Sequence, residues 1–542
     1  MNDPNSTDET NHLDRRGFLK GAAVLGAGLA LPAWAHAAAG EASALATTRS
    51  GRVRGYADRG VHVFKGVPYG ADTASRRFLP ALPELPWDGL RDATAYGASA
   101  PQRSRDETTS EDCLFLNVWT PGLRDGGQRP ILFYIHGGGF NNGSGSDPLY
   151  DGVNLCRRGD AVVITVNHRL NAFGYLHLAR LAGDEYAVSG NVGQLDLVQA
   201  LQWVREHADE FGGDAGNVTA FGQSGGGAKI ATLMAMPAAK GLFHRAWTMS
   251  GQQVTAAGPR AATQRAERFI EAAGLAPGDI DGLLRLPPER LLEAAKARDF
   301  SRVEDSSLYF GPVMDGGSLR VHPFWPEAPV QSAGIPMVIG NTRDETRAFL
   351  GNDPANFELR WNDLPAKLEK QQFVDINPDV VIAEYRRMYP DYTPSDVFFA
   401  ATTAGRSWRG AVEEAEARAR QRSGAPTWAY QLDWYPRGGD GETFRAFHTL
   451  DIPLVFDALR RPGSRTGESV AAQRMAARMS EALLAFARTG DPNHAEIPAW
   501  APYSLDKRET MVFDDASRLE NDPRGGERRL YRRAPFVQRG TM

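Results

Sequence analysis

Short apolar runs that close on glycine or on a polar turn recur along this chain. Residues 131–135 (ILFYI) are five apolar positions followed by HGGG, and residues 161–167 (AVVITVN), 217–221 (NVTAF), 245–250 (RAWTMS) and 336–341 (PMVIGN) have a similar form. Runs this short, enriched in β-branched and aromatic residues, read as strands buried on both faces. Between them the period changes. Residues 194–208 carry Leu195, Val198, Leu201, Trp203 and Val204 at near-helical spacing, which predicts a crossover helix packed on a sheet. Buried strands joined through such a helix predict one large α/β unit with helical insertions. The charge-mixed stretch 411–422 (AVEEAEARARQR) reads as a solvated helical face.

Candidate chemistry sits at the ends of these runs. Residues 221–227 read FGQSGGG, so a strand-like run turns into a small-residue helical run with Ser224 at the apex. A sharp strand-to-helix turn needs glycine-small residues two before and two after the apex, and Gly222 and Gly226 stand there. The run 131–135 opens into HGGGF, whose glycines free main-chain N–H groups to face a ligand. Acyl transfer needs such donors for the oxyanion of its tetrahedral intermediate, each worth roughly 2.7–4 kcal/mol. Just upstream, residues 111–121 read EDCLFLNVWTP.

Together with residues 190–227, these segments resemble the type-B carboxylesterases, the cholinesterase-like and para-nitrobenzyl esterase-like α/β-hydrolases. The match runs from 64–69 (FKGVPY) to 489–503 (TGDPNHAEIPAWAPY), nearly the whole mature chain. The resemblance implies an α/β-hydrolase fold, a large mostly parallel sheet flanked by helices, with helical insertions around the active site.

Chain order in α/β-hydrolases is Ser, then Asp or Glu, then His. Of eleven histidines, only His448 and His494 lie in the last third. His494 falls in the turn-rich DPNH and reads as a loop residue. His448, in AFHTLDIPLVFD, enters an apolar run and is the better general base. For the acid, Asp344 and Glu345 both follow the strand candidate 336–341. The resemblance selects Glu345 and leaves Asp344 as a helix cap, with Thr346 standing where the family usually has glycine. It also implies the roles: Ser224 nucleophile, His448 base then acid, Glu345 its orienter, and Gly138, Gly139 and Gly225 the oxyanion donors. No metal or organic cofactor is implied, since no HExxH, Cys/His cluster or phosphate-loop lysine appears. A serine–lysine arrangement three residues apart also fails, the nearest lysine being Lys229.

The N-terminus carries DRRGFLK at 14–20, a weakly hydrophobic Ala/Gly/Leu run at 21–33 and AHA at 35–37. These are the parts of a twin-arginine export signal, and the run is far short of the ~20 residues that span a bilayer. Residues 1–37 are therefore expected to be removed, leaving 38–542 as a single catalytic domain in the periplasm or outside the cell. The signal holds four acids and three bases, so its loss moves the formal charge from −5 to −4. That mild acidity gives no basic footprint for nucleic acid, and no stable membrane insertion is expected.

Two cysteines are present, Cys113 and Cys156. In the family the cysteine at 113 usually pairs with one just before an upstream Pro-Gln, where this chain has Ala100, so Cys113 is expected as a buried free thiol. The intervening stretch 101–112 has no aromatic residue, and the neighbour of Ser224 is the neutral Gln223. Cholinesterases use a tryptophan and a glutamate at these places to hold a quaternary ammonium. The expected partner is therefore a small-molecule ester other than choline's. Phe140, Phe310 and Trp325 are candidate pocket walls. The alternatives are a lipase or an amide- or polyester-cleaving member of the same fold, or a non-catalytic binding domain, against which the intact Ser224, Glu345 and His448 argue.

Overall fold

Each apolar run named above is a strand. The computed structural model describes residues 44–103, 108–299, 307–421 and 424–538, so the proposed signal, 1–37, lies outside the described residues. The first half of the chain contributes β1 (Ala44–Thr47), β2 (Arg52–Asp58), β3 (Val61–Pro68), β4 (Leu90–Asp92), β5 (Phe115–Thr120), β6 (Arg129–Ile135), β7 (Val162–Val166), β8 (Gly213–Gln223) and β9 (Arg245–Met249). The second half adds β10 (Met337–Thr342), β11 (Thr427–Leu432), β12 (Glu509–Phe513) and β13 (Arg518–Asn521). They form one sheet in the order β1-β2-β3-β5-β7-β6-β8-β9-β10-β11-β12-β13, with β4 alongside β2.

From β7 through β12 every neighbouring pair is parallel, and the flanking pairs on this path are antiparallel. Parallel strands need both faces covered. Alternate residues of β6 serve opposite faces: Ile131, Phe133 and Ile135 pack with the crossover helix Val192–His207, and Leu132 and Tyr134 pack with the helix Val470–Thr489. Helical insertions between the strands, including Pro259–Ala272 and Leu364–Gln371, carry apolar clusters of their own.

Register decides where chemistry can happen. Ile135 of β6 lies opposite Gly222 of β8, and Gln223 lies opposite Met249 of β9. Gly340 of β10 in turn faces Met249, and Thr342 faces Leu432 of β11. The carboxyl ends of β6, β8, β10 and β11 therefore finish level. In open α/β sheets, ligands bind beyond the carboxyl ends of the strands.

The expectation for 411–422 needs correction. The helix Arg409–Ala419 is largely buried, including Glu414, Glu416 and Arg418. Glu416 is held by Arg508 at 3.1 Å and Arg532 at 2.6 Å, and Arg418 donates to the carbonyls of Ser332 and Ile335. Partners from distant segments neutralise charges that read, locally, as a wet face.

Candidate active site

The turn from β8 into the helix Gly225–Ala235 is tight enough to dictate its residues. Ser224 has φ 56° and ψ −125°, a backbone state costing on the order of 1–3 kcal/mol. Its N–H donates to Met249 O at 2.7 Å and its carbonyl accepts from Ala228 N at 3.1 Å, which hold the apex from both sides. A Cβ on Gly222 would lie 2.7 Å from Ile135 O, and one on Gly226 would collide with that same oxygen. Gly226→Ala is therefore expected to destabilise the protein by at least ~1–3 kcal/mol, the usual cost of overpacking. The exposed Gly334, whose Cβ would meet nothing within 4 Å, serves as control. Denaturant midpoints of the two alanine variants check this; equal midpoints would refute it.

The glycine loop after β6 lies against that turn. Gly138 and Gly139 have φ of 84° and 61°, values that L side chains resist. Each carbonyl along the loop has a partner of its own. His136 Nδ1 lies 2.9 Å from Gly137 O, Gly138 O accepts from Asn141 N and Asn142 N at 3.2 Å, and Gly139 O accepts from Lys229 Nζ at 2.8 Å. Because a peptide's N–H points opposite its carbonyl, this pattern turns the N–H groups of Gly138 and Gly139 the other way. Gly139 O also sits where a Cβ of Gly225 would be, so the loop and the first residue of the helix are in close contact.

Glu345 and His448 meet at the same edge. Glu345, fully buried, follows β10 and pairs through Oε2 with Nδ1 of His448. Its Oε1 accepts from Thr342 N at 3.1 Å and from Asn341 Nδ2 at 3.3 Å. Burial pushes its pKa up, but the His448 charge and hydrogen bonds from His448, Ser250 and Asn341 outweigh it, and the group sits below its ordinary value. Thr346, where glycine was the family pattern, has φ −76° and needs no glycine freedom. Its hydroxyl is 2.9 Å from Phe399 O and 2.8 Å from Thr402 Oγ1.

The other face of His448 is taken by a neighbour of the serine. Gln223 Nε2 lies 3.1 Å from His448 Nε2. An amide N–H can only donate, so this contact fits the tautomer in which Nε2 presents its lone pair and Nδ1 faces Glu345 with the proton. Among the described residues no hydrogen bond joins Ser224 Oγ to His448. Phe349 packs on the imidazole with ring centroids 4.8 Å apart, and Arg406 stacks on Phe349 at 4.0 Å.

Asp344 does not cap the following helix; Thr346 is at that position, and Asp344 instead faces Arg347 at 3.4 Å. His494 holds Arg478 O at 3.0 Å. Cys113 and Cys156 are buried free thiols, burial pushing the first well up and the second to about 12. Phe140 and Phe310 are core residues packed edge-on against Tyr175 and Phe269, while Trp325 is 57% exposed. Three groups near the edge were given no role by the sequence reading. Asp451 is buried, accepts from Tyr430 OH at 2.9 Å, and is pushed up to about 6 by burial and then by the Glu345 charge. Ser250 Oγ accepts from Thr342 N, and Lys229 lies under the glycine loop. The run HTLD, three residues past His448, was a local signal for Asp451. Ser250 and Lys229 had none. Among the described residues no group of three or more His, Cys, Asp or Glu could hold a metal ion, and no helix is long and apolar enough to cross a membrane.

Comparison with known proteins gives concordant results. Residues 42–529 match the model of the carboxylesterase family, and residues 12–32 match the twin-arginine translocation signal, so the chain is exported by that route. It is 36% identical to the para-nitrobenzyl esterase of Bacillus subtilis (strain 168) over 502 residues, covering 89% of this chain and 97% of that one. It is 34% identical to the phenmedipham hydrolase of Pseudarthrobacter oxydans, covering 87% and 95%. The crystal structure of Geobacillus stearothermophilus carboxylesterase EST55 superimposes with TM-score 0.79 at 39% identity, covering 90% of this chain and 99% of that one.

Proposed function

This chain belongs to the carboxylesterase family, and from that premise we propose that it cleaves carboxylic esters through an acyl-enzyme on Ser224. Ser224 Oγ attacks the ester carbonyl carbon while His448 Nε2 takes its proton. The carbonyl oxygen becomes an oxyanion facing the N–H groups of Gly138, Gly139 and Gly225. Collapse expels the alcohol, protonated by His448, and water releases the acid by the same steps in reverse order. Glu345 holds the imidazole in the tautomer with Nδ1 protonated and stabilises the imidazolium. The Gln223 amide, now on Nε2, has to give that lone pair up to Ser224 as the reaction begins. Residues 38–542 act as a single catalytic domain once the signal is removed.

The observation that supports this most is the Glu345–His448 pair at the sheet edge that also carries the strained Ser224. The direct test is a fluorophosphonate probe followed by peptide mapping. One equivalent is expected on Ser224, with activity lost in step. Stoichiometric inactivation with the label on another residue would defeat the assignment.

The site also implies what it does not select. With no aromatic residue in 101–112 and Gln223 in place of a carboxylate, a choline ester is expected to gain nothing over its uncharged isostere. A formed cation–π site is worth roughly 0.5–2 kcal/mol, so comparable kcat/KM for the two esters is the expected result. Gln223→Glu alone is expected to leave that ratio flat. A preference for the charged ester that disappears at high salt would show another aromatic group supplying the site.

A further inference from the structure

Lys229 is a fully buried lysine on the helix that starts at Gly225. Its ammonium donates to His136 O at 3.2 Å and to Gly139 O at 2.8 Å, and lies 5.5 Å over the Phe140 ring. The titratable groups facing it are His136 and His168, whose rings stack 4.9 Å apart. Burial, and then the Lys229 charge, hold both imidazoles far below their ordinary range, so both are neutral. Among the described residues no carboxylate offsets the ammonium, and burial lowers it to about 7. Stability does not account for a cation here. Desolvation disfavours it, and so does the positive end of the helix in whose second turn it sits.

Its two acceptors do account for it. The carbonyls of His136 and Gly139 bracket the stretch that carries the N–H groups of Gly138 and Gly139. We propose that Lys229 is a positioning residue for the oxyanion loop: it ties both ends of the loop to the helix that begins at the nucleophile, and so fixes the aim of those N–H groups relative to Gly225. This rests on the proposed roles of Ser224 and of the three N–H groups. A clamp of this kind acts on the oxyanion and not on the ground-state ester. It therefore bears on kcat more than on KM.

The test compares Lys229→Met with wild type and with Ser224→Ala on one chromogenic ester. The probe is an aryl trifluoromethyl ketone, to which Ser224 Oγ adds, forming a C–O bond as the carbonyl becomes an oxyanion and the serine proton passes to His448. Lys229→Met is expected to lose roughly 10- to 100-fold in kcat, less than the full loss of one oxyanion donor. KM should stay within about threefold, and ketone affinity should fall by the same factor as kcat/KM. Lys229→Gln, which keeps a neutral donor, is expected to fall between. Charged Lys229 grips the carbonyls most strongly below about 7 and less once it loses its proton. The wild-type kcat/KM profile should therefore carry a falling limb above about 7 that Lys229→Met lacks. If Lys229→Met does not fold, the Lys229→Gln kinetics and the wild-type limb decide. Wild-type kcat and ketone affinity in either folded variant, with Ser224→Ala inactive, overturn the clamp alone. An active Ser224→Ala overturns the reading beneath it.

Discussion

Ser224→Ala is expected to lower ester turnover on the order of 10⁶-fold in a protein that folds as before, the scale seen when a triad nucleophile is removed. Folding should survive because what holds this turn is backbone. The N–H to Met249 O, the carbonyl to Ala228 N and the glycines at 222 and 226 are untouched by loss of Oγ. Alanine meets the same left-handed strain that serine already bears at φ 56°. What disappears is the atom proposed to form the acyl-enzyme. The glycine N–H groups remain, so a residue of catalysis over water, about 10³–10⁴-fold, should persist. Steady-state kinetics beside circular dichroism and thermal unfolding measure both halves. A folded variant turning over near the wild-type rate would end the assignment of Ser224.

The turn at Ser224 and the glycine loop were legible because they are steric statements. Gly222 and Gly226 are required by the carbonyl of Ile135, a contact that β6–β8 register makes unavoidable, so the requirement is written as glycine at fixed offsets. The five strands were legible for a related reason: parallel strands covered on both faces carry uninterrupted apolar runs. The proposed acid was half legible. Local sequence left Asp344 and Glu345 open and the resemblance chose between them; in three dimensions Glu345 meets His448 and Asp344 turns to Arg347.

What escaped depends on contacts across long separations. Glu416 finds Arg508 and Arg532 at 92 and 116 residues' distance, so nothing within 411–422 distinguishes this buried helix from a wet one. Lys229 finds its acceptors 90 and 93 residues upstream. The grip of Gln223 on His448 spans 225 residues. Periodicity reports which face of an element is apolar; it carries no information about which distant partner satisfies a buried charge.

His448→Ala is expected to cost nearly as much as loss of Ser224, because nucleophile and base act as one unit and neither works without the other. Without imidazole, Ser224 keeps its proton and the departing alkoxide has no acid. The cavity left behind adds a second injury. Glu345, whose ionised state leans on His448 for charge and hydrogen bonding, stays buried with only Thr342 N, Asn341 and Ser250 to support it. Its pKa should climb, and a loss of stability of about 1–3 kcal/mol is expected from the buried lone pairs left without a partner. Glu345→Gln keeps the shape and some hydrogen bonding, so it should cost less in kcat, on the order of 10²–10⁴-fold, through the wrong imidazole tautomer. Asp344→Asn should matter little, since its side chain faces Arg347. His494 serves as the internal control. Its ring holds Arg478 O on the helix Val470–Thr489, and His494→Ala is expected to leave kcat/KM within a few-fold of wild type while lowering Tm slightly. Activity abolished by His494→Ala and preserved in His448→Ala would reverse the assignment of the base.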